Sequence, residues 1–319
     1  MTRTVTGVRD VAVLEIEPEG HRLQYLRHLV DAAGAGHCVV LTSGKATASE
    51  EYAAYVADAG ARTVEVPATG SRHDLLTSAV DAAVAAGVSR LVIPDGDHYL
   101  LPLLRLLLRR PRLRLEIRLL LMRTAEIGGP ESLRPATLVK PALVQALRAF
   151  PQVRIRFLTD ALGVVRGRRG YPGVRPLQDP VVRPTPEVAA RPSWIPAPGP
   201  GCVVLGVFGV ISARKNLPVL LEALAGAPSL VLVVGGRIEP DVREVLDTDA
   251  ARALVVGRRL VVVDRMLPPT EFSAALQSVD VAAVLHDNDA PSGILAEACL
   301  RGTPVVVPSG GWLDRVVTE

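Results

Sequence analysis

The chain has 319 residues, 49% of them hydrophobic and 22% charged, with a mean hydropathy of +0.29. That mixture excludes a disordered or fibrous protein, and the length is enough for two domains with ordinary cores. A formal net charge of +3 is too small for a grip on nucleic acid driven by bulk charge, so no nucleic-acid partner is expected.

Met1–Asp10 holds no apolar run of the kind a signal peptide carries. Strand and helix patterns then alternate. Val11–Glu17 reads as a strand, and His21–Ala33 as a helix with Leu23, Leu26, Leu29 and Val30 on one face. His37–Thr42 and Arg62–Val66 read as strands, separated by the helix Ser49–Asp58. Asp74–Ala86 is a predicted helix, and Ser89–Pro94 a strand that ends in the polar turn Asp95-Gly96-Asp97. Tyr99–Leu108, Leu115–Leu121, Ala136–Phe150 and Val153–Leu158 continue the series. Strands that are nearly unbroken apolar runs, spaced by helices, predict a parallel sheet covered on both faces.

Pro180–Pro200 contains seven prolines and neither a helical nor a strand period, and it reads as an extended linker. The alternation restarts at Cys202–Phe208 and runs through Leu217–Leu224, Leu230–Val234, Leu260–Asp264, Thr270–Gln277, Val279–Leu285, Leu295–Leu300 and Thr303–Val307. The expected class is therefore α/β, with two Rossmann-like, doubly wound parallel-sheet domains. Their expected extents are 1–182 and 201–319, joined by a linker over 183–200. Ligands of such sheets lie at the carboxyl ends of the strands, so both domains are expected to face a common cleft.

The cysteines Cys38, Cys202 and Cys299 lie far apart and spell neither a disulfide framework nor a zinc site; a reducing cytoplasm suits them. Of the 36 basic residues only Lys45, Lys140 and Lys215 are lysines, so a retained lysine stands out. Lys215 belongs to Gly209-Val210-Ile211-Ser212-Ala213-Arg214-Lys215-Asn216, between a strand and a helix. A helix start with free backbone N–H groups and two adjacent cations suits an anion such as a diphosphate. The plainer reading is a solvated basic turn with a Ser or Asn cap.

A second cluster, Asp287-Asn288-Asp289-Ala290-Pro291-Ser292-Gly293-Ile294, follows the strand Val279–Leu285 and opens another helix. The small residues Ser292 and Gly293 let a phosphate approach backbone amides. Glu297, one turn further on, sits among Leu295, Ala298 and Leu300 and is expected to be partly buried. Its two acceptor oxygens suit the paired hydroxyls of a sugar diol.

Gly209…Lys215-Asn216, Val233-Val234-Gly235-Gly236, Asp280…Asp289-x7-Glu297-Ala298, Arg301-Gly302-Thr303-Pro304-Val305-Val306 and Gly310-Gly311 occur in an order that resembles the GT-B glycosyltransferases, and among them the large retaining family four. The resemblance is specific over 202–315 and only architectural before that. It implies transfer of a sugar from a nucleotide-diphospho-sugar to an acceptor hydroxyl, with retention and without a metal or other cofactor. It makes Lys215 the diphosphate cation and Glu297 the ribose carboxylate. It makes Asp289 the donor-sugar acid, one methylene shorter than the usual Glu. Where the family commonly carries an Arg five residues before the Lys, this chain has Val210, and Arg214 stands in. Gly209 and the amides at Ser292, Gly293 and Ile294 fall at the phosphates, and the Arg265-Met266 backbone at the base. Family members continue past the Gly-Gly loop with further helices, whereas this chain ends at Glu319.

By the same resemblance the first domain supplies the acceptor side. Gly20 and His21 lie in the loop after the first strand, and His98 falls where a cleft histidine contacts the donor sugar. Asp97 beside it is a candidate to orient an acceptor hydroxyl; a turn Asp and a helix-start His are the plainer alternatives. D-x-D triplets at Asp95, Asp247 and Asp287 are too short a pattern to mark a metal site, and no metal is expected. His28, His37, His73 and His286 lack metal-ligand spacing.

From Tyr99 to Met122 an apolar stretch is broken by Pro111 and six arginines, so no membrane span is expected. A helix, a turn at Pro111 and a buried strand account for this stretch. Weak peripheral contact with the inner face of a membrane is the second reading of its Arg/Leu mixture. A non-catalytic glycosyltransferase-like binding subunit and a sugar-nucleotide epimerase of the same architecture are the alternative functions.

Overall fold

The computed structural model describes residues 10–18, 22–122, 135–159, 171–178, 190–197, 199–286 and 292–318. The described residues up to Thr159, with 171–178, form one compact unit, and those from Ala190 onward form another.

In the first unit seven parallel strands are β1 (Val11–Leu14), β2 (Cys38–Thr42), β3 (Arg62–Glu65), β4 (Arg90–Ile93), β5 (Glu116–Leu121), β6 (Val153–Thr159) and β7 (Arg175–Gln178). Their order is β3-β2-β1-β4-β5-β6-β7. The chain winds one way from β1 to β3 and the other way from β4 outward, so β1 and β4 are neighbours at the point of reversal. Helices fill both faces because the central strands are apolar on both sides. On one face Leu76, Ala79, Val80, Leu103 and Leu107 pack against Ala12, Leu41, Leu91 and Leu119. On the other, Leu23, Leu26 and Val30 of the helix Arg22–Ala33 close over Val13 and Val40.

The Arg-rich stretch resolves as the helix Leu100–Arg109, a turn at Pro111 and Arg112, and β5. Strand β5 lies between β4 and β6, with Ile117, Leu119 and Leu121 buried and Arg118 turned outward to Glu116. Among the described residues no helix is long and apolar enough to cross a membrane.

The second unit repeats the plan with β8 (Val203–Phe208), β9 (Leu230–Gly236), β10 (Leu260–Asp264), β11 (Val281–Ala283) and β12 (Val305–Val306), in the order β10-β9-β8-β11-β12. All pairs are parallel, and the reversal falls between β8 and β11. Residues 190–197 pack against this unit. Ile195 is buried, Trp194 donates to Glu271 at 2.7 Å, and Arg191 donates to the Ser278 carbonyl at 2.8 Å. The ring of Trp194 covers Gly235, where a Cβ would stand 2.8 Å from it.

Several elements lack a clear sequence signal. Strand β7 has no buried residue and contains Pro176, so it shows no apolar alternation. The helices Pro240–Leu246, Asp249–Val256 and Trp312–Thr318 are short and carry few buried residues.

Candidate functional site

In the second unit the loop after β8 is shaped by glycine. Gly209 has φ +91°, and Gly236 packs against it so closely that a Cβ there would lie 1.8 Å from the Gly209 carbonyl oxygen. Only glycine fits such an approach. Ile211 then bridges to Ile238 and buries its side chain. The chain turns through a short 3₁₀ segment, Ala213–Lys215, into Asn216, which adopts the left-handed conformation (φ 52°, ψ 42°) ahead of the helix Leu217–Gly226.

This turn buries the side chain of Lys215, which is 6% exposed. Among the described residues nothing offers its ammonium a hydrogen bond or a counter-ion. Burial, helped by the charge of neighbouring Arg214, pushes its pKa down to about 8. Arg214 itself is exposed. Ser212 Oγ, in the same turn, is also buried without a hydrogen-bond partner among the described residues. A cation on a buried side chain is costly unless an anion meets it.

Two contacts tie this loop to the segment after β11. Asn216 donates its side-chain N–H to the Leu285 carbonyl at 2.7 Å. Gly209 faces Ile294, whose Cδ1 lies 3.4 Å from where a Cβ would stand. Ile294 is in the first turn of the helix Gly293–Arg301, capped by Ser292 Oγ, which accepts from the Leu295 amide at 3.3 Å. Gly293 presents open space where a side chain would be. One turn on, Glu297 has Oε1 at 3.9 Å from Arg301 and Oε2 buried with no hydrogen-bond partner among the described residues. Burial raises its pKa, and Arg301 only partly opposes this. Asp289 lies outside the described residues.

The base-loop residues have partners of their own. Arg265 forms a two-pronged ion pair with Glu271, at 2.5 and 2.9 Å, and Glu271 also accepts from Trp194. The half-buried Met266 precedes buried Leu267, so the Arg265-Met266 backbone emerges from β10 braced by Glu271 and Trp194.

In the first unit, Gly20 and His21 also lie outside the described residues. His98 stands at the carboxyl end of β4 with its side chain 44% exposed, 4.0 Å from Asp95. Asp97 faces inward. It accepts from the Met122 amide at 2.7 Å and pairs with Lys140, with only 7% of its side chain exposed. Its carboxylate thus ties the β4 turn to the end of β5 and to the helix Pro135–Arg148. Asp95 turns the other way, to Arg22 at 2.8 Å. The two acids of this D-x-D triplet therefore serve separate partners. Among the described residues no three His, Cys, Asp or Glu side chains gather as metal ligands would.

No family model matches the sequence, and no curated protein matches it at the sequence level. Solved structures do match the fold. The Anabaena protein Alr3699/HepE, in complex with UDP and glucose, is 14% identical, and the match covers 96% of this chain and 82% of that one at a TM-score of 0.61. A glycosyltransferase from Rickettsia africae is 8% identical over 98% of this chain and 82% of that one, at a TM-score of 0.63. An α,α-trehalose 6-phosphate synthase from Burkholderia multivorans is 15% identical over 94% and 83%, at a TM-score of 0.57.

The chain has the GT-B fold. In its second Rossmann-like unit, the Lys215 turn and the helix that carries Glu297 are held together at the β8/β11 reversal, where open α/β sheets bind ligands. In the first, the reversal between β1 and β4 gathers residues that the sequence does not single out. Glu15, Arg22, Asp95 and Tyr99 converge there, beside His98. The faint signal was Glu15 itself, a charged residue closing the apolar run of β1.

Proposed function

We propose that the chain is a glycosyltransferase that moves a sugar from a nucleotide-diphospho-sugar to an acceptor hydroxyl. The observation that carries this reading is the buried side chain of Lys215, whose ammonium meets no counter-ion among the described residues, at the carboxyl edge of the second sheet. As the bond from the anomeric carbon to the diphosphate breaks, its electron pair moves onto a phosphate oxygen. A cation already fixed beside that oxygen lowers the barrier. Arg214 adds charge from the surface, and the amides at Gly293 and Ile294 face the phosphates from a helix start. Glu297 takes the ribose hydroxyls on its free Oε2. The acceptor's oxygen bonds to the anomeric carbon and passes its proton to the departing diphosphate oxygen, and the first unit, with His98 at its edge, holds the acceptor.

The HepE complexes with UDP, with UDP and glucose, and with UDP-glucose support a uridine nucleotide as donor. Retention, independence of metal and the donor-sugar role of Asp289 rest on the resemblance to family four. The helix Leu100–Arg109 turns Leu101, Arg105 and Leu108 outward, the last 67% exposed, with Arg112 following. That face supports weak contact with anionic lipid, which co-sedimentation with phosphatidylglycerol vesicles tests.

Incubating the protein with UDP- and GDP-sugars and following nucleotide release, with and without glycoside acceptors, tests the main reading. Release of UDP or GDP supports it. Donor binding without turnover makes the chain a binding subunit, and a new sugar nucleotide formed without an acceptor makes it an epimerase.

A further inference from the structure

The helix Gly293–Arg301 ends on a cation that is not where helix-end cations usually lie. An arginine in the last turn interacts favourably with the helix dipole while its guanidinium stays in water. The side chain of Arg301 is instead only 8% exposed, held against the neighbouring helix Pro269–Gln277. Its Nη2 donates to Ser273 Oγ of that helix at 2.7 Å. Its Nε is buried with no hydrogen-bond partner among the described residues. Burying a guanidinium with a donor unspent is costly, so the helix dipole does not account for this placement.

The placement sets a fixed positive charge beside Glu297. Nη2 stands 3.9 Å from Glu297 Oε1, one helical turn back, and the Glu297 side chain is itself only 15% exposed. That separation lets the two charges attract but is too long for a hydrogen bond. Arg301 thus neutralises part of the cost of a buried carboxylate without occupying its Oε2, which has no hydrogen-bond partner among the described residues. Burial raises the Glu297 pKa and the charge of Arg301 opposes that rise, which favours the ionised form that accepts at both oxygens.

We propose that Arg301, anchored by Ser273, is the positioning residue for Glu297 and fixes its carboxylate for the hydroxyls of a ribose. The inference rests on the transferase reading, which puts the ribose at Glu297, and it adds a residue that acts through that carboxylate. Lysine at this position supplies the charge without the planar fork, and glutamine supplies no charge.

Calorimetric titration of the full chain with UDP and with 2′,3′-dideoxy-UDP tests this, because the two ligands share base and diphosphate and differ only in the diol. The wild type should bind UDP about tenfold more tightly than the dideoxy analogue. Arg301→Gln should narrow that ratio to about threefold or less, by weakening UDP and not the analogue. Arg301→Lys restores the charge and should keep the ratio at about fivefold or more. Ser273→Ala removes only the anchor and should narrow the ratio in the same direction by less; it carries the test if far-UV circular dichroism shows that Arg301→Gln does not fold. A purely structural role for Arg301 weakens both ligands alike. An unchanged ratio in Arg301→Gln and Ser273→Ala, or equal ratios in Arg301→Lys and Arg301→Gln, overturns the proposal and leaves the donor site standing. A wild type that binds both ligands alike, or neither, overturns the ribose role of Glu297 and this inference with it.

Discussion

The side chain of Asn216 reaches the backbone carbonyl of Leu285 at 2.7 Å, and this hydrogen bond joins the loop after β8 to the loop after β11. It also explains why the helix Leu217–Gly226 lacks a side-chain cap, since the residue in the cap position has turned its amide elsewhere. The left-handed backbone at Asn216, which Asn tolerates better than most residues, aims that amide across the sheet edge.

Breaking this tie should cost stability and loosen the Lys215 turn. Asn216→Gly keeps the left-handed backbone and loses only the hydrogen bond, whereas Asn216→Ala loses both. Chemical denaturation should show a loss of about 1 kcal/mol for Asn216→Gly and a larger one for Asn216→Ala. Equal stability of both variants and the wild type would remove Asn216 from the account.

The affinity for UDP should depend on pH in a stated direction. Lys215 titrates near 8 in the free protein, below its ordinary 10.5, because burial disfavours its charge. A bound diphosphate favours the ammonium, so the complex holds its proton to higher pH. Affinity should be flat below about 8 and fall as pH rises past it, by up to about tenfold per unit until the complex itself deprotonates. Arg214→Ala relieves the like charge and should move the onset upward. Calorimetry across pH 7 to 10, in buffers of different ionisation enthalpy, reads both the affinity and the proton uptake. A pH-independent Kd contradicts the assignment.

Glu297 should matter for the nucleoside and not for the phosphates. Its buried Oε2 has no hydrogen-bond partner among the described residues, and its pKa is raised by that burial. Glu297→Ala should weaken UDP by about tenfold or more while leaving inorganic pyrophosphate unchanged. Equal losses for both ligands would place the carboxylate's effect at the helix rather than at the ribose.

Glu15 should make the fold sensitive to pH. Its native pKa of about 7 lies above the ordinary 4.5, so the native state keeps a proton that the unfolded chain releases. The stability tied to that proton is complete below about 4.5 and is lost as pH rises through 7. Glu15→Gln mimics the protonated form. It should therefore match the wild type at pH 4.5 and exceed it at pH 8, by an amount on the order of 3 kcal/mol. Urea denaturation at the two pH values measures this, and an equal offset at both would mean that Glu15 does not carry the proton.

The second unit is the more readable half from sequence because its site is local. Gly209, Lys215, Ser292, Gly293 and Glu297 each sit beside a strand end or helix start whose apolar pattern is plain. What that pattern cannot reveal is the long-range tie from Asn216 to Leu285, or the fit of Gly236 against the Gly209 carbonyl. In the first unit the informative contacts join residues far apart in the chain, such as Arg22 with Asp95 and Asp97 with Lys140. Asp97 looks from its turn like a surface acid beside His98, and only the register of β5 against β4 shows that its carboxylate meets the Met122 amide. The Trp194–Glu271–Arg265 chain is hidden in the same way, because its tryptophan lies in a proline-rich stretch without periodicity.

Isothermal titration of UDP into the wild type and into Lys215→Ala, with folding verified by circular dichroism, tests the central claim most directly. The wild type should bind, and Lys215→Ala should bind at least about tenfold more weakly while keeping its fold. The same Kd in both proteins, or no binding of UDP by the wild type, would contradict a uridine diphosphate site at this lysine.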